Sequence, residues 1–439
     1  MEFKTDYRAE RYALDAKWDD FPAAVQEHAL MCGVDLMTAL ILGSYGEQFK
    51  AGQKLAQRMG LLGDIPAVGS DKKYNLLGAA IAMGHSSNSF DIDDGHRAIC
   101  GHPGTSFVAG VLAAALEKNA AWREYLTTLT VCYELSIRWA LAMQDHYKFL
   151  HSTGAYGAFG TAAGIGRLYG FDEKQLNNAL SIADFHAPMT PVMRAVEYPS
   201  MNKDGVPFGV MIGALALLAD QCGFTGNKHL LEADEYRRYL DDLGQNHEVM
   251  ALYFKPYPCC RWGHPAIDAC LSLMAAHRIT AEDIEAVTIE TFYKATQLSK
   301  DIPSCADAAQ YNIAYPVAAA IVNNGFSIQQ VENTGDTAVI DMMGRLSFVC
   351  DPELDAQFPA RRLCRATMVL KDGRRIISDI HEPRGEACEN IGYDWLADKF
   401  RRITAQRLTG PQQETLIQLL HGDNWTVRQL VSRVNAALL

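Results

Sequence analysis

The sequence predicts a mainly α protein: a large all-helical domain, residues 1–253 plus 393–439, into which a smaller α/β lid domain, residues 254–392, is inserted. Three observations carry this. From Phe21 to Asp241 apolar residues recur at helical spacing, segment after segment. Near Tyr253 the texture changes to short β-branched runs bounded by charge. From Tyr393 the helical spacing returns. An insertion of this kind is joined by two crossings and can move as a lid.

In chain order, "AAVQEHALMCGVDLMTALILGSYGEQF" reads as one long apolar helix, and "FVAGVLAAALEK", "YLTTLTVCYELSIRWALAMQ", "GAFGTAAGIGRLYG" and "GVMIGALALLAD" read likewise. Their glycines and alanines let helix backbones approach closely, at a cost in helix propensity. In the second domain "IEAVTIETFY" (284–293) predicts a strand, and "DTAVIDMMGRLSFVCDPE" adds another. "CRATMVLKDGRRIISDI" (364–380) predicts a hairpin whose Asp372-Gly373 pair suits a type I′ turn. Helices are expected at 265–276 and 311–323. The tail gives three more: "YDWLADKFRRITAQ", "PQQETLIQLLHG" and "VRQLVSRVNAALL".

Composition narrows the function. Of 439 residues 49% are apolar, enough for a large core, and the formal charge is −12 with no basic tract, which argues against nucleic acid as a partner. The N-terminus has no apolar signal region and no stretch of 18 uncharged apolar residues occurs, so no membrane partner is expected. Eleven cysteines, an odd number, read as reduced thiols and a cytoplasmic location. Cys259 and Cys260 are adjacent and lack the CxxC spacing of a zinc site. No GxGxxG follows a strand, and neither GxxxxGK[ST], GxSxG nor HExxH occurs. Hydride transfer and phosphoryl transfer therefore lose their usual sequence support.

Five stretches look chemically loaded. "FDIDDGHRAICGHPGT" packs Asp91, Asp93 and Asp94 between two apolar helices. If it were helical, Asp91 and Asp94 would share a face; Gly95, Gly101 and Gly104 argue for a loop. These carboxylates could also merely cap the next helix. In the same stretch His102 precedes Pro103, expected in the first turn of the helix that follows. "FLHSTGAYGAFG" sets His151 before Ser152, Thr153 and Gly154, which suit a helix start with free N–H groups for a carboxylate. "YPSMNKDGVPFG" carries Lys203 in a punctuated loop. "YFKPYPCCRWGHPAIDAC" crowds Lys255, Arg261 and His264 at the domain junction, a common place for a pocket. "YNIAYPVAAAIV" brings Tyr311 and Tyr315. Carboxylates, histidines, lysines and a tyrosine without a cofactor motif fit proton transfer on an anionic carbon acid. Charge developing on carboxylate oxygens needs cations and N–H donors, and loss of a hydroxyl needs an acid.

These stretches, in this order and together with "GFTG", resemble the MmgE/PrpD family, which includes 2-methylcitrate dehydratase, cis-aconitate decarboxylase and iminodisuccinate epimerase. The resemblance implies a helical domain with an α/β lid, a homodimer, no metal or organic cofactor, and a site between the domains. It implies Asp91, His102, His151, Lys203, Lys255 and Tyr315 as catalytic residues; the stretches themselves place Arg261, His264, Ser152 and Thr153 toward the substrate. Three positions depart from the family pattern: Asn88 stands where many members have histidine, Gly95 where many have threonine, and Ser152 where many have proline. The activity it implies is dehydration of a small hydroxylated di- or tricarboxylic acid, citrate- or 2-methylcitrate-like. The alternatives are epimerisation or decarboxylation of a related polycarboxylate, and a non-catalytic polycarboxylate-binding protein.

Overall fold

The structure, a computed structural model, describes residues 1–389, 391–422 and 424–439. It is mainly α, and a four-stranded sheet marks the smaller lid. The helical body has one continuous core, drawn from residues between Ala9 and Phe254 and again from Leu396 to Val434. At its centre the helix Thr153–Leu168 packs against Thr105–Lys118, Trp122–Tyr147 and Val206–Gln221. The small residues read from the sequence explain that closeness. A Cβ at Gly154 would collide with the Gly205 carbonyl, and one at Gly209 with the Gly154 carbonyl. Nothing larger than hydrogen fits at either crossing.

The long N-terminal apolar segment is two helices, Ala23–Gly43 and Glu47–Arg58, not one. The break falls where the Ser44 hydroxyl turns back to the Ile41 carbonyl (2.7 Å), an alternative partner that competes with the helix ladder. Ala23–Gly43 is long and apolar enough to cross a membrane by length and composition, but 83% of its apolar window is buried inside the fold, and it carries the buried Asp35. The C-terminal helices Tyr393–Thr404, Gly410–His421 and Val427–Leu438 return to this body. They are tied by Val427 N–H to Ala120 O (2.8 Å) and by Asn435, which bonds the backbone at Ala67 and Gly69.

In the lid, the strand Ile284–Thr291 pairs parallel with Leu346–Cys350 on one side and antiparallel with Cys364–Leu370 on the other; Arg375–Ile377 completes the sheet. Helices His264–His277 and Ala314–Asn323 cover it, the second starting three residues later than the sequence suggests. The expected hairpin forms, with a different turn. Gly373 N–H bonds Leu370 O (2.9 Å) and Leu370 N–H bonds Arg374 O (2.9 Å), so the loop is Lys371–Gly373. Gly373 is left-handed (φ 86°) and Asp372 is not, whereas a type I′ turn needs both. The two crossings between body and lid run side by side, joined by Phe254 N–H to Gly385 O (2.9 Å).

Candidate active site

The stretch Phe90–Asp94 is a loop, and its side chains alternate in destination. Phe90 and Ile92 are buried in the lid core. Between and beyond them Asp91, Asp93 and Asp94 are equally buried but turn to polar partners. Asp91 and Asp94 therefore share no helical face. Asp91 takes the left-handed conformation (φ 50°), which a non-glycine residue keeps only when its surroundings fix it. Two lysines do so. Lys255 Nζ donates to the Asp91 carbonyl (3.0 Å) and carboxylate (2.6 Å), and Lys399 Nζ donates to the Ile92 carbonyl (2.7 Å) and to Asp35 (2.5 Å).

The three aspartates do different things. Asp94 caps and braces, as one reading of the sequence allowed. It accepts from Gly104 N–H (3.0 Å) at the start of Thr105–Lys118, and from the Tyr133 hydroxyl. Pro103 lies just outside that helix rather than in its first turn. Asp93 accepts from the Asn88 amide (3.0 Å). Asp91 faces the cations. Burial alone would raise its pKa, but the Lys255 ammonium, then His102 and Lys203, hold the carboxyl below the ordinary range. The same pairing raises Lys255 against the burial that would lower it.

His102 sits at the centre. Its Nδ1 is 3.0 Å from the Asp94 carbonyl, which can only accept, so Nδ1 carries the proton. Nε2 is then the nitrogen turned to the carboxylates of Asp91 and Asp204. It lies 3.7 Å from Asp91 Oδ1 and 3.8 Å from Asp204 Oδ2, with Asp93 Oδ2 3.5 Å from Nδ1. Asp204 is raised by burial and by Asp91, more than the nearby cations lower it. Asp91, Asp93 and His102 offer donor atoms within 4.8 Å of one another, a set that could also hold a cation, although Lys255 already supplies positive charge to Asp91.

Lys203, also left-handed (φ 47°), donates to Gln310 of the lid, lies 3.5 Å from Asp307, and stands 5.5 Å above the centre of the Tyr311 ring. It lines a cavity of about 540 Å3 with Ser152, Thr190, Arg194, Asn202 and Phe208; among the described residues no carboxylate side chain lines it.

Not every residue chosen from the sequence joins this group. Tyr315 donates to the carbonyls of Gln330 (2.6 Å) and Asn333 (2.8 Å) within the lid. Its neighbour Tyr311 stands at the site instead, its phenol pushed well up by burial and by Asp204 and Asp91. Both tyrosines lie in "YNIAYP", and spacing alone does not choose between them. His151 is buried against Trp139 and Tyr156, and its ring nitrogens face the carbonyls of Ser152 and Ala140, each at 3.4 Å. Burial lowers its pKa. It meets the site through Tyr156, which donates to Thr153 Oγ1 (3.0 Å), the acceptor of the His102 backbone N–H (3.3 Å). The N–H groups at that helix start are partly used: Gly154 N–H bonds the Asp204 carbonyl (2.9 Å). His264 bonds Cys259 O (3.0 Å) and adjoins Arg261 (3.2 Å), while Arg261 binds Glu386 (2.8 Å) and the Arg384 carbonyl (2.7 Å). Both brace the crossing. Asp204 and Lys399 were not singled out; Asp204 adjoins Lys203 in sequence, but Lys399 carries no local signal.

Two family models match this chain, the MmgE/PrpD N-terminal domain over residues 9–242 and the MmgE/PrpD C-terminal domain over residues 257–422. The chain belongs to the MmgE/PrpD family. With membership comes a lyase- or dehydratase-type activity on a small polycarboxylate. The cis-aconitate decarboxylase-like protein oryM of Aspergillus oryzae (strain ATCC 42149 / RIB 40) is 22% identical over 436 residues, covering 90% of this chain and 89% of that protein. In this MmgE/PrpD protein the acidic loop, the Lys203 loop and the Lys255 crossing converge from segments far apart in sequence.

Proposed function

We propose that this protein is a cofactor-independent hydro-lyase that dehydrates a small hydroxylated di- or tricarboxylic acid, citrate- or 2-methylcitrate-like. One observation carries the reading: a cavity lined by two cations and, among the described residues, no acid meets, at Lys203, a buried group that sets His102 Nε2 beside the raised carboxyl of Asp204. His102 Nε2 takes the proton α to a substrate carboxylate. Lys203 and Lys255 stabilise the charge that moves onto the carboxylate oxygens. The C=C bond forms as the C–O bond breaks, and the hydroxyl leaves as water with a proton from Asp204. Asp91 keeps Lys255 charged and aimed, and His151 supports the site through Tyr156. Tyr311 covers Lys203 from the lid.

The test is a panel of hydroxy acids followed for conjugated-alkene absorbance. Folded protein that forms no alkene from any of them removes this reading. A second reading, decarboxylation, is favoured by the likeness to a cis-aconitate decarboxylase-like protein. It predicts trapped CO2 and solvent deuterium in the product, with no water lost. We place the protein in the cytoplasm as a homodimer. Its cysteines are all free, and the helix Val206–Gln221 presents an exposed apolar stripe for a second copy.

A further inference from the structure

Arg362 is a buried cation without a counter-ion among the described residues. Its side chain is 1% exposed, yet Nε and Nη1 have no hydrogen-bond partner. Nη2 has only the Arg97 carbonyl at 3.5 Å and the Cys100 thiol at 4.0 Å, both at the limit of bonding. The acid within its electrostatic reach is Glu386, and Glu386 is already taken by Arg261 (2.8 Å) and Arg97 (2.7 Å). Arg97 also meets Glu382 (3.1 Å), which Arg361 shares. Positive charge is thus in excess at a buried place, which is unfavourable until an anion with its own lone pairs fills it.

Tyr253 gives that place a direction. Its ring lies between Arg261 (4.4 Å) and Arg362 (5.5 Å). Burial pushes its phenol up to about 12 even with Arg362 and Lys255 nearby, so it remains a donor at neutral pH. The residue itself is 2% exposed. It abuts Gly95, where a Cβ would collide with it, so the absent side chain at 95 is what admits the phenol. Tyr253 and Lys255 are two residues apart and within electrostatic reach of each other, and Lys255 bonds Asp91. The unpaired Arg362 donors are thereby linked through Tyr253 to the Asp91 group.

We infer that Arg362 and Tyr253 form a subsite for a carboxylate of the bound polycarboxylate, distinct from the Lys203 cavity and reached from the lid. A guanidinium and a phenol O–H match the two oxygens of a carboxylate. This subsite rests on the proposed function for its substrate class, not for its chemistry.

Glutarate and propane-1,2,3-tricarboxylate differ by one carboxylate and have no hydroxyl to lose, so calorimetric titration reads binding without turnover. The wild-type protein is expected to bind the tricarboxylate at least about tenfold more tightly, the worth of a charge-assisted pair. In Arg362→Gln that gain disappears while glutarate affinity stays within about threefold of wild type; Tyr253→Phe keeps the ring and loses part of the gain. A gain that survives Arg362→Gln, or is absent from the wild type, overturns the subsite. Arg362-dependent stabilisation by sulfate without a tricarboxylate gain assigns the place to a free inorganic anion and overturns it too. If Arg362→Gln does not fold, an undiminished gain in Tyr253→Phe is the overturning result. Wild-type protein that binds neither acid removes the substrate class with the subsite, whereas a panel without alkene beside an Arg362-dependent gain removes only the dehydration.

Discussion

Asp91 is ionised in a place where burial favours the neutral form, and Asp94, three residues on, is not. The difference lies in their partners: Lys255 for Asp91, a phenol and a backbone N–H for Asp94. Removing the charge at Asp91 leaves Lys255 buried and unopposed. Asp91→Asn is expected to lower kcat/KM by ~10²-fold or more, read by steady-state kinetics on whichever hydroxy acid turns over. Asp94 is pushed by burial up to about 8 from 3.8. The folded state holds its proton more tightly than the unfolded state. Its contribution is therefore fully present below about pH 4 and is lost as pH rises through about 8. Asparagine reproduces the neutral group, so Asp94→Asn should gain thermal stability relative to wild type between about pH 6 and about pH 9. An unchanged difference in melting temperature across that range would count against a neutral Asp94.

Among the elements, the helix Tyr393–Thr404 has a role its sequence position hides. It carries Lys399 into the body, where the ammonium meets Asp35 and the Ile92 carbonyl beside Asp91. Lys399→Met leaves Asp35 buried and unpaired and should cost about 3–5 kcal/mol of stability, measured by denaturant titration. The double variant Lys399→Met/Asp35→Leu should recover most of that stability. Its kcat/KM should stay lower than wild type by about tenfold or more, because the loop that fixes Asp91 has lost one of its two pins. Recovery of both properties would make the pair structural only. Most of this helix was legible from its amphipathic spacing. The lysine was not, since burial of a charged residue depends on what another segment brings to it.

For the whole molecule, the body and the lid have two cores, and the body lends Phe90 and Ile92 of the acid loop, with Ala39, Leu42 and Ile403, to the second. We take residues 254–392 as the moving part. Small-angle scattering with and without a polycarboxylate checks this; a profile unchanged at saturation would refute it. On the body, Phe208 and Leu215 are exposed, with Met211, Ile212 and Leu218 half-buried along the same helix. Such a stripe is unusual on a free surface. Leu215→Glu, away from the cavity, should turn a dimer into a monomer by light scattering at micromolar concentration. A wild-type protein that is already monomeric would remove the self-association.

The sequence by itself determined most of the helices and strands, the order of helical body, strand-rich insertion and helical tail, and the motif positions of Asp91, His102, Lys203 and Lys255, but not the break at Ser44 or the turn of the hairpin. Periodicity, turn residues and local motifs are properties of neighbours in the chain. Which residues meet was decided by tertiary structure. Tyr311 rather than Tyr315 faces Lys203, His151 turns to backbone carbonyls, Asp94 becomes a cap, and Lys399 arrives from the far end of the chain. Charge state followed the same division. A carboxyl or an ammonium has its ordinary pKa in the sequence; only the fold supplies the burial and the counter-charge that move it.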